Sequence, residues 1–137
     1  MEKFTDIQII HRAYEDLDEI GRVANVRVYS DTDVESNLEY AYRITQNVHG
    51  SWSRDKYMPS GDLNGDYNPW IKEIKPLKVD KNGKEWGHRS TSEGDLLVLD
   101  GTTYKVAGFG FEEVNHDEWI KRDRNDNEDI ISRFFTS

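Results

Sequence analysis

The sequence contains no cysteine, and no long apolar run, among its 137 residues. The absence of cysteine excludes disulfide bonds, thiolate metal sites and a cysteine nucleophile. A membrane-spanning helix needs roughly 20 predominantly apolar residues, which this chain does not contain. The first residues also lack the pattern of a signal peptide. These absences predict a soluble protein of the cytoplasm that binds no membrane. No cofactor is predicted for it either.

Positive charge is also scarce, because 27 Asp and Glu oppose 18 Lys and Arg to give a net charge of −9. Such a charge argues against nucleic-acid binding by the surface as a whole and favours a basic partner. Acids are concentrated in residues 2–19 and 111–129, whereas residues 71–89 hold six bases and three acids. The chain therefore either has two faces of opposite charge or shows the chance unevenness of a highly charged surface.

Aromatic residues are plentiful, with four Trp, seven Tyr and five Phe, which argues against disorder and for one folded domain over residues 1–137. The β-branched, alternating pattern of residues 23–29 predicts a strand. Apolar residues at helical spacing predict the main helix at 34–46, with Thr32 and Glu35 as its capping box. Shorter helical segments are expected near residues 117–122 and 126–135.

Turn residues predict the hairpins. Asp100-Gly101 separates an apolar strand at 96–99 from a return strand at 102–107, and Asn82-Gly83 marks another turn. Residues 71–79 are expected to form a strand region interrupted at Pro76. Together these elements predict an α+β fold, in which one helix packs on an antiparallel sheet of four to six strands that is curled or even barrel-like.

A long aromatic-rich loop is expected at residues 47–70, because glycine and proline recur there. The loop either folds back over the sheet or displays its aromatic side chains to a partner. Three aromatic residues of the loop are candidates for partner contacts, as are four acidic residues in or near the acidic tail at 115–137: Trp52, Tyr57, Trp70, Glu112, Glu113, Asp117 and Glu118.

A polar segment, Arg-Ser-Thr-Ser, stands directly before the strand at 96–99, and two interpretations of it stay open. In the first, the hydroxyl groups satisfy backbone N–H groups and Arg89 pairs with Asp95 or another nearby acid. In the second, the segment and the preceding histidine bind a phosphate or carboxylate, although no glycine-rich phosphate loop is present. The candidate ligand-binding residues are His88, Arg89, Ser90, Thr91 and Ser92.

Residues 62–73 match part of the calcium-loop pattern, with oxygen-bearing side chains at positions 1, 3, 5, 7 and 12. Tyr67 stands where that loop requires glycine, and the four histidines are widely scattered. We therefore predict no metal site. Nothing resembling a nucleophile elbow is visible either, so an enzymatic function is not predicted.

The segment "RSTSEGDLLVLDGTTYKVAGFGFEEV" (residues 89–114) resembles the carboxyl-terminal signature of YodL-like domains. The matching positions are an Arg-Ser-x-Ser-x-x-Asp segment, an apolar strand, an aromatic-containing strand and Gly110-Phe111. The helix and loop at residues 37–53 are also similar to those of related small phage proteins. The resemblance implies a phage or mobile-element accessory protein, and it brings no catalytic residues.

These observations predict an accessory protein that inhibits or redirects a host factor in the host cytoplasm. Its acidic surface would bind a host protein and could mimic nucleic acid. The alternative is a protein that binds or sequesters a nucleotide or another small anion with residues 89–92. An unpaired sheet edge would also allow a homodimer.

Overall fold

The computed structural model describes residues 3–12 and 21–121, and it confirms the α+β class. One helix, α1 (Val34–Ile44), accompanies a six-stranded sheet and a separate two-stranded hairpin. The strands are β1 (Phe4–His11), β2 (Gly21–Tyr29), β3 (Ile71–Lys72), β4 (Lys78–Val79), β5 (Glu85–Trp86), β6 (Leu96–Leu99), β7 (Thr102–Val106) and β8 (Phe111–Val114). A further helical turn covers residues 116–121.

The large sheet has the order β3-β2-β1-β6-β7-β8, and each neighbouring pair is antiparallel. Strands β4 and β5 pair only with each other. The sheet stays open, with β3 and β8 at its edges, so the predicted barrel-like closure is wrong. The edge strand β3 has only two residues.

Alternation of side chains along the strands places the core on one face of the sheet. Ile7 lies opposite Val26, and Ile9 lies opposite Leu97, so these four side chains share a face. Helix α1 covers this face with the buried side chains of Leu38 and Ala41. The remaining cover comes from the long loop, which inserts Trp52 at 1% exposure.

The turns follow the predicted chemistry. Asp100 and Gly101 both have positive φ, at 50° and 80°, which is the mirror-image turn that suits the twist of a two-residue hairpin. Leu99 consequently pairs with Thr102, and the hairpin prediction is confirmed. The strand region predicted at 71–79 divides into β3 and β4 on either side of Pro76, as expected for a residue without an N–H donor.

Helix α1 begins at Val34, as predicted, but its N-cap lies one residue after the predicted Thr32. Asp33 is the N-cap, and its Oδ2 accepts a hydrogen bond of 3.0 Å from the backbone N–H of Ser36. The predicted cap at Thr32 is wrong because the carboxylate of Asp33 is the stronger acceptor and complements the positive helix terminus. At the other end, Thr45 Oγ1 donates to the Ala41 carbonyl, so the helix stops two residues before the predicted end at Gln46.

The helix predicted at 126–135 and most of the acidic tail lie outside the described residues. The described helical turn at 116–121 overlaps the segment predicted at 117–122. None of the helices in the described ranges is both long enough and apolar enough to pass through a bilayer.

The N-cap assignment is testable with two single variants, Asp33→Ala and Thr32→Ala. Asp33→Ala should lower the midpoint of thermal unfolding by a few degrees at pH 7, because it removes the acceptor for the Ser36 N–H. Thr32→Ala should leave the midpoint nearly unchanged. That same hydrogen bond lowers the pKa of Asp33 below its ordinary 3.8, so the carboxylate stabilises the fold above that pH. The difference between wild type and Asp33→Ala should therefore shrink as the pH falls below 3.8.

Candidate functional site

The predicted ligand segment surrounds a buried ion pair between Arg89 and Asp95. Arg89 Nη1 lies 2.6 Å from Asp95 Oδ2, and Nη2 lies 2.8 Å from Oδ1, which is a two-pronged contact. The Asp95 side chain is fully buried, whereas that of Arg89 retains 27% exposure. The geometry supports the first interpretation of this segment, in which Arg89 pairs with Asp95.

Asp95 also accepts two backbone N–H groups, from Arg12 at 2.9 Å and from Ser92 at 2.8 Å. Arg89 Nη2 in turn donates to the Arg12 carbonyl at 3.1 Å. The pair therefore joins the end of β1 to the segment that precedes β6. A buried carboxylate needs this set of donors, because removing it from water costs several kcal/mol per ion.

The three hydroxyl residues of the segment are engaged within the chain. Ser90 Oγ accepts the backbone N–H of Asn47, and Ser92 Oγ donates to the Ser90 carbonyl. Thr91 is buried, with its Oγ1 2.9 Å from His11 Nε2 and its backbone N–H on the Thr45 carbonyl. These contacts fasten the segment to the end of α1 and to the long loop.

His88 packs between Trp52 of the long loop and Lys75. Its ring stacks on Trp52 with centroids 5.8 Å apart, and Nε2 lies 2.8 Å from the Lys75 carbonyl. Burial lowers the pKa of His88 below its ordinary value; the hydrogen bond to the Lys75 carbonyl opposes this shift, and the nearby Lys75 and Lys78 charges add to it. The ring is thus biased towards its neutral form, which gives little attraction to an anion.

The long loop is organised by its own amide and carboxylate side chains. Asp66 accepts the backbone N–H groups of Val48, His49 and Gly50, at distances down to 2.7 Å. Asn64 is buried, and it both accepts from Ser51 N and donates to Ser51 O. Two of the side chains in the calcium-loop pattern therefore hold the loop together.

No group of three or more metal-ligating side chains forms within residues 3–12 and 21–121. Turn formation explains why Asn and Asp recur in residues 62–73, since their side chains readily satisfy backbone N–H groups of neighbouring turns.

The predicted partner-binding aromatics separate into three environments. Trp52 is a core residue, and its Nε1 donates to the Arg89 carbonyl. The structure therefore corrects its predicted place on a partner-binding surface, because the side chain packs in the core. Trp70 is half-buried against Phe4 and Tyr29, with centroids about 5.4 Å and 5.5 Å away. Tyr57 is 60% exposed and lines a cleft of about 440 Å³ between residues 53–59 and 74–77.

The four predicted acidic residues are all exposed at one end of the sheet. Glu112 and Glu113 lie on β8, the edge strand, opposite Lys105 and Tyr104 of β7. Because successive side chains on a strand alternate, these two carboxylates project from opposite faces of the edge. Asp117 and Glu118 follow in the helical turn after β8.

Phe109 at this edge is not among the residues that the sequence analysis singled out. It is 99% exposed at the tip of the turn between β7 and β8. Ala107 N donates to the Gly110 carbonyl at 3.0 Å, and Gly110 has φ of 68°, so the turn closes without burying the ring. The glycines on both sides of Phe109 were the sequence signal for this exposure, because they favour a turn with Phe109 at its tip.

Comparisons of the chain with protein-family models, with curated proteins and with solved structures give no match. Its function therefore has to be inferred from the side chains described above.

The Arg89–Asp95 pair is tested by Asp95→Asn. The amide would turn an N–H₂ group towards a backbone N–H donor and leave the guanidinium without its counter-charge. We expect a loss of about 3 kcal/mol in the free energy of unfolding, measured by urea denaturation at pH 7. The matched control is Asp100→Asn, which makes the same chemical change at an exposed turn residue and should cost less than about 0.5 kcal/mol. Equal stability of the two variants would contradict the central role of Asp95.

The burial of His88 predicts a pH dependence. Since its pKa is lower in the folded protein, the unfolded chain takes up the proton first as the pH falls below about 6.5. The contribution of neutral His88 to the free energy of unfolding should therefore be fully present above pH 7. It should decline as the pH approaches the lower pKa of the folded protein. In thermal unfolding between pH 7.5 and 5.5, His88→Gln should show a smaller decline than the wild type.

The control for this measurement is His49→Gln, because His49 is exposed in the long loop. This variant should retain the full decline between pH 7.5 and 5.5. If His49→Gln and His88→Gln behave alike, burial of His88 is not the source of the pH dependence.

Proposed function

We propose that this protein is an accessory binding protein of a phage or another mobile genetic element, and that it inhibits or redirects a host factor. The contact surface is the acidic edge, which we define as Phe109, Glu112, Glu113, Asp117 and Glu118. The single observation that carries the proposal is the coincidence of a fully exposed phenylalanine, an edge strand and these four exposed carboxylates.

The edge strand supplies backbone groups as well as side chains. Ala107 and Gly110 form a hydrogen-bonded pair at the turn, so the alternation of an antiparallel ladder directs the N–H and C=O groups of Phe111 and Glu113 away from β7. Among the described residues, no strand pairs with β8 on that side. An extended segment of a partner would find backbone partners there, with Phe109 as an apolar anchor.

Charge determines the kind of partner. A second copy of the same edge would bring carboxylates against carboxylates, which destabilises strand pairing. A basic segment of a host protein is instead attracted to the edge. Glu112 and Glu113 project from opposite faces of β8, so they support binding to a protein more than mimicry of a regular row of phosphates.

The mobile-element origin rests on the resemblance of residues 89–114 to YodL-like domains. Two signature residues, Arg89 through its guanidinium and Ser92 through its backbone N–H, both donate to the buried carboxylate of a third, Asp95. They therefore act in folding rather than in a reaction. The same contacts weigh against small-anion capture by this segment, because the guanidinium and the hydroxyl groups already have partners within the chain.

The proposal is tested by affinity capture from a lysate of the host, with Phe109→Ala/Glu113→Gln/Glu118→Gln as the edge variant. Immobilised wild type should retain a basic host protein at 50 mM salt and release it at 500 mM, since exposed charges are screened at high ionic strength. The edge variant should retain about tenfold less, and cross-links in the wild-type complex should map to β8.

The matched control is Asp31→Asn/Glu39→Gln, which removes two exposed carboxylates around α1. It should bind like the wild type. Equal capture by all three proteins, or cross-links that avoid β8, would reject the acidic edge as the contact surface.

A further inference from the structure

The segment that contains the β4–β5 hairpin has a positive balance of charge in this acidic protein. Residues 71–89 contain six bases and three acids, which leaves 12 bases and 24 acids for the rest of the chain, a net charge of −12. Four lysines of this segment are exposed on the strands, the turn and the approach to the hairpin. These are Lys75, Lys78, Lys81 and Lys84, and we call residues 75–86 the basic hairpin.

The three acids of residues 71–89 are each engaged within the chain. Glu73 Oε2 accepts from Asn25 Nδ2 at 2.6 Å, and Glu85 Oε1 accepts from Arg54 Nη1 at 2.8 Å. Asp80 shapes the hairpin itself by accepting the N–H groups of Asn82 and Lys84 and the indole N–H of Trp86. Within residues 75–86, four exposed lysines outnumber the two acids, so the hairpin carries a net positive charge.

Trp86 lies between two of these lysines on one face of the hairpin. It pairs across the strands with Lys78, so both side chains project to the same side. The Lys84 ammonium is 4.2 Å from the centroid of its ring. Trp86 nevertheless remains 53% exposed, although a tryptophan of a small domain usually buries most of its surface.

We propose that the basic hairpin binds single-stranded nucleic acid. An unpaired base stacks on Trp86, and the adjoining phosphates lie against Lys78 and Lys84. Stacking requires an exposed base face, which duplexes do not offer, so single strands fit this face better than double strands. The ligand is DNA or RNA, since neither a stacked base nor a phosphate contact distinguishes the two.

The bound nucleic acid would continue from the hairpin into the neighbouring cleft. Glu85, the neighbour of Trp86, is at the border of this cleft, and Lys75 and the exposed Tyr57 also line it. The net charge of −9 opposes binding by the protein as a whole. Screening limits that repulsion to about 10 Å at 0.1 M salt, so the local charge of the hairpin governs contacts made there.

This activity goes beyond the proposed function and uses a different surface from the acidic edge. The protein would hold a nucleic acid and a basic protein at the same time. An acidic peptide would satisfy the lysines but not the ring of Trp86, and it is therefore the alternative ligand to exclude.

The test is fluorescence anisotropy with fluorescein-labelled dT12 and rU12, titrated with the full chain at 20, 50 and 150 mM NaCl. Wild type should bind both oligonucleotides at low salt. Lys78→Gln/Lys84→Gln should bind about tenfold more weakly at 50 mM, and its slope of log K against log salt should be less steep by about 1.4, or 0.7 per lost phosphate contact. Trp86→Phe should weaken binding less than Trp86→Leu, because phenylalanine retains a stacking ring.

The matched control is Lys3→Gln/Lys121→Gln, which removes the same charge at exposed sites outside the basic hairpin and should bind like the wild type. Thermal unfolding identifies any variant that fails to fold, and Lys75→Gln/Lys81→Gln then takes its place. Equal loss in the control and hairpin variants, absence of binding at 20 mM, or equal competition by a duplex or by polyglutamate would each overturn the proposal.

Discussion

The buried carboxylate of Asp95 is the interaction on which the rest of the structure depends. It receives the guanidinium of Arg89 and the backbone N–H groups of Arg12 and Ser92, so one side chain ties the end of β1 to the segment that precedes β6. A fully buried charge is tolerated only when such donors surround it. The position of β6 beside β1, and hence the middle of the sheet, follows from this contact.

From that centre, the network extends outwards to the loop that covers the core. The Arg89 carbonyl accepts the indole N–H of Trp52, and Thr91 is bonded to Thr45 at the end of α1. Asn64 and Asp66 then hold the remainder of the loop by satisfying backbone N–H groups. In a chain with few aliphatic residues, polar side chains thus fasten the segments that close the core.

The two surfaces proposed for binding lie outside this network. The residues of the acidic edge lie on β8 and its flanking turns. The basic hairpin pairs with no other strand among the described residues. Each combines exposed charge that is predominantly of one sign with an exposed aromatic ring, Phe109 in one case and Trp86 in the other. β8 is held in the fold by its pairing with β7 and by the packing of Phe111 against the core. A small domain can therefore present opposite charges to two partners on surfaces outside the Asp95 network.

The sequence by itself determined the local elements, since their causes are local. The strand at β2, the helix α1 and the Asp100-Gly101 turn follow from side-chain period and turn chemistry, and the α+β class follows from them. The Arg89–Asp95 pair remained one of two interpretations of the sequence, because a separation of six residues does not determine which side chains contact each other. Only the tertiary structure decided that the sheet stays open, that Trp52 is buried while Phe109 and Trp86 are exposed, and which acids have partners. Burial and long-range pairing depend on contacts between segments far apart in the chain, such as Trp52 with Arg89, and no local pattern encodes them.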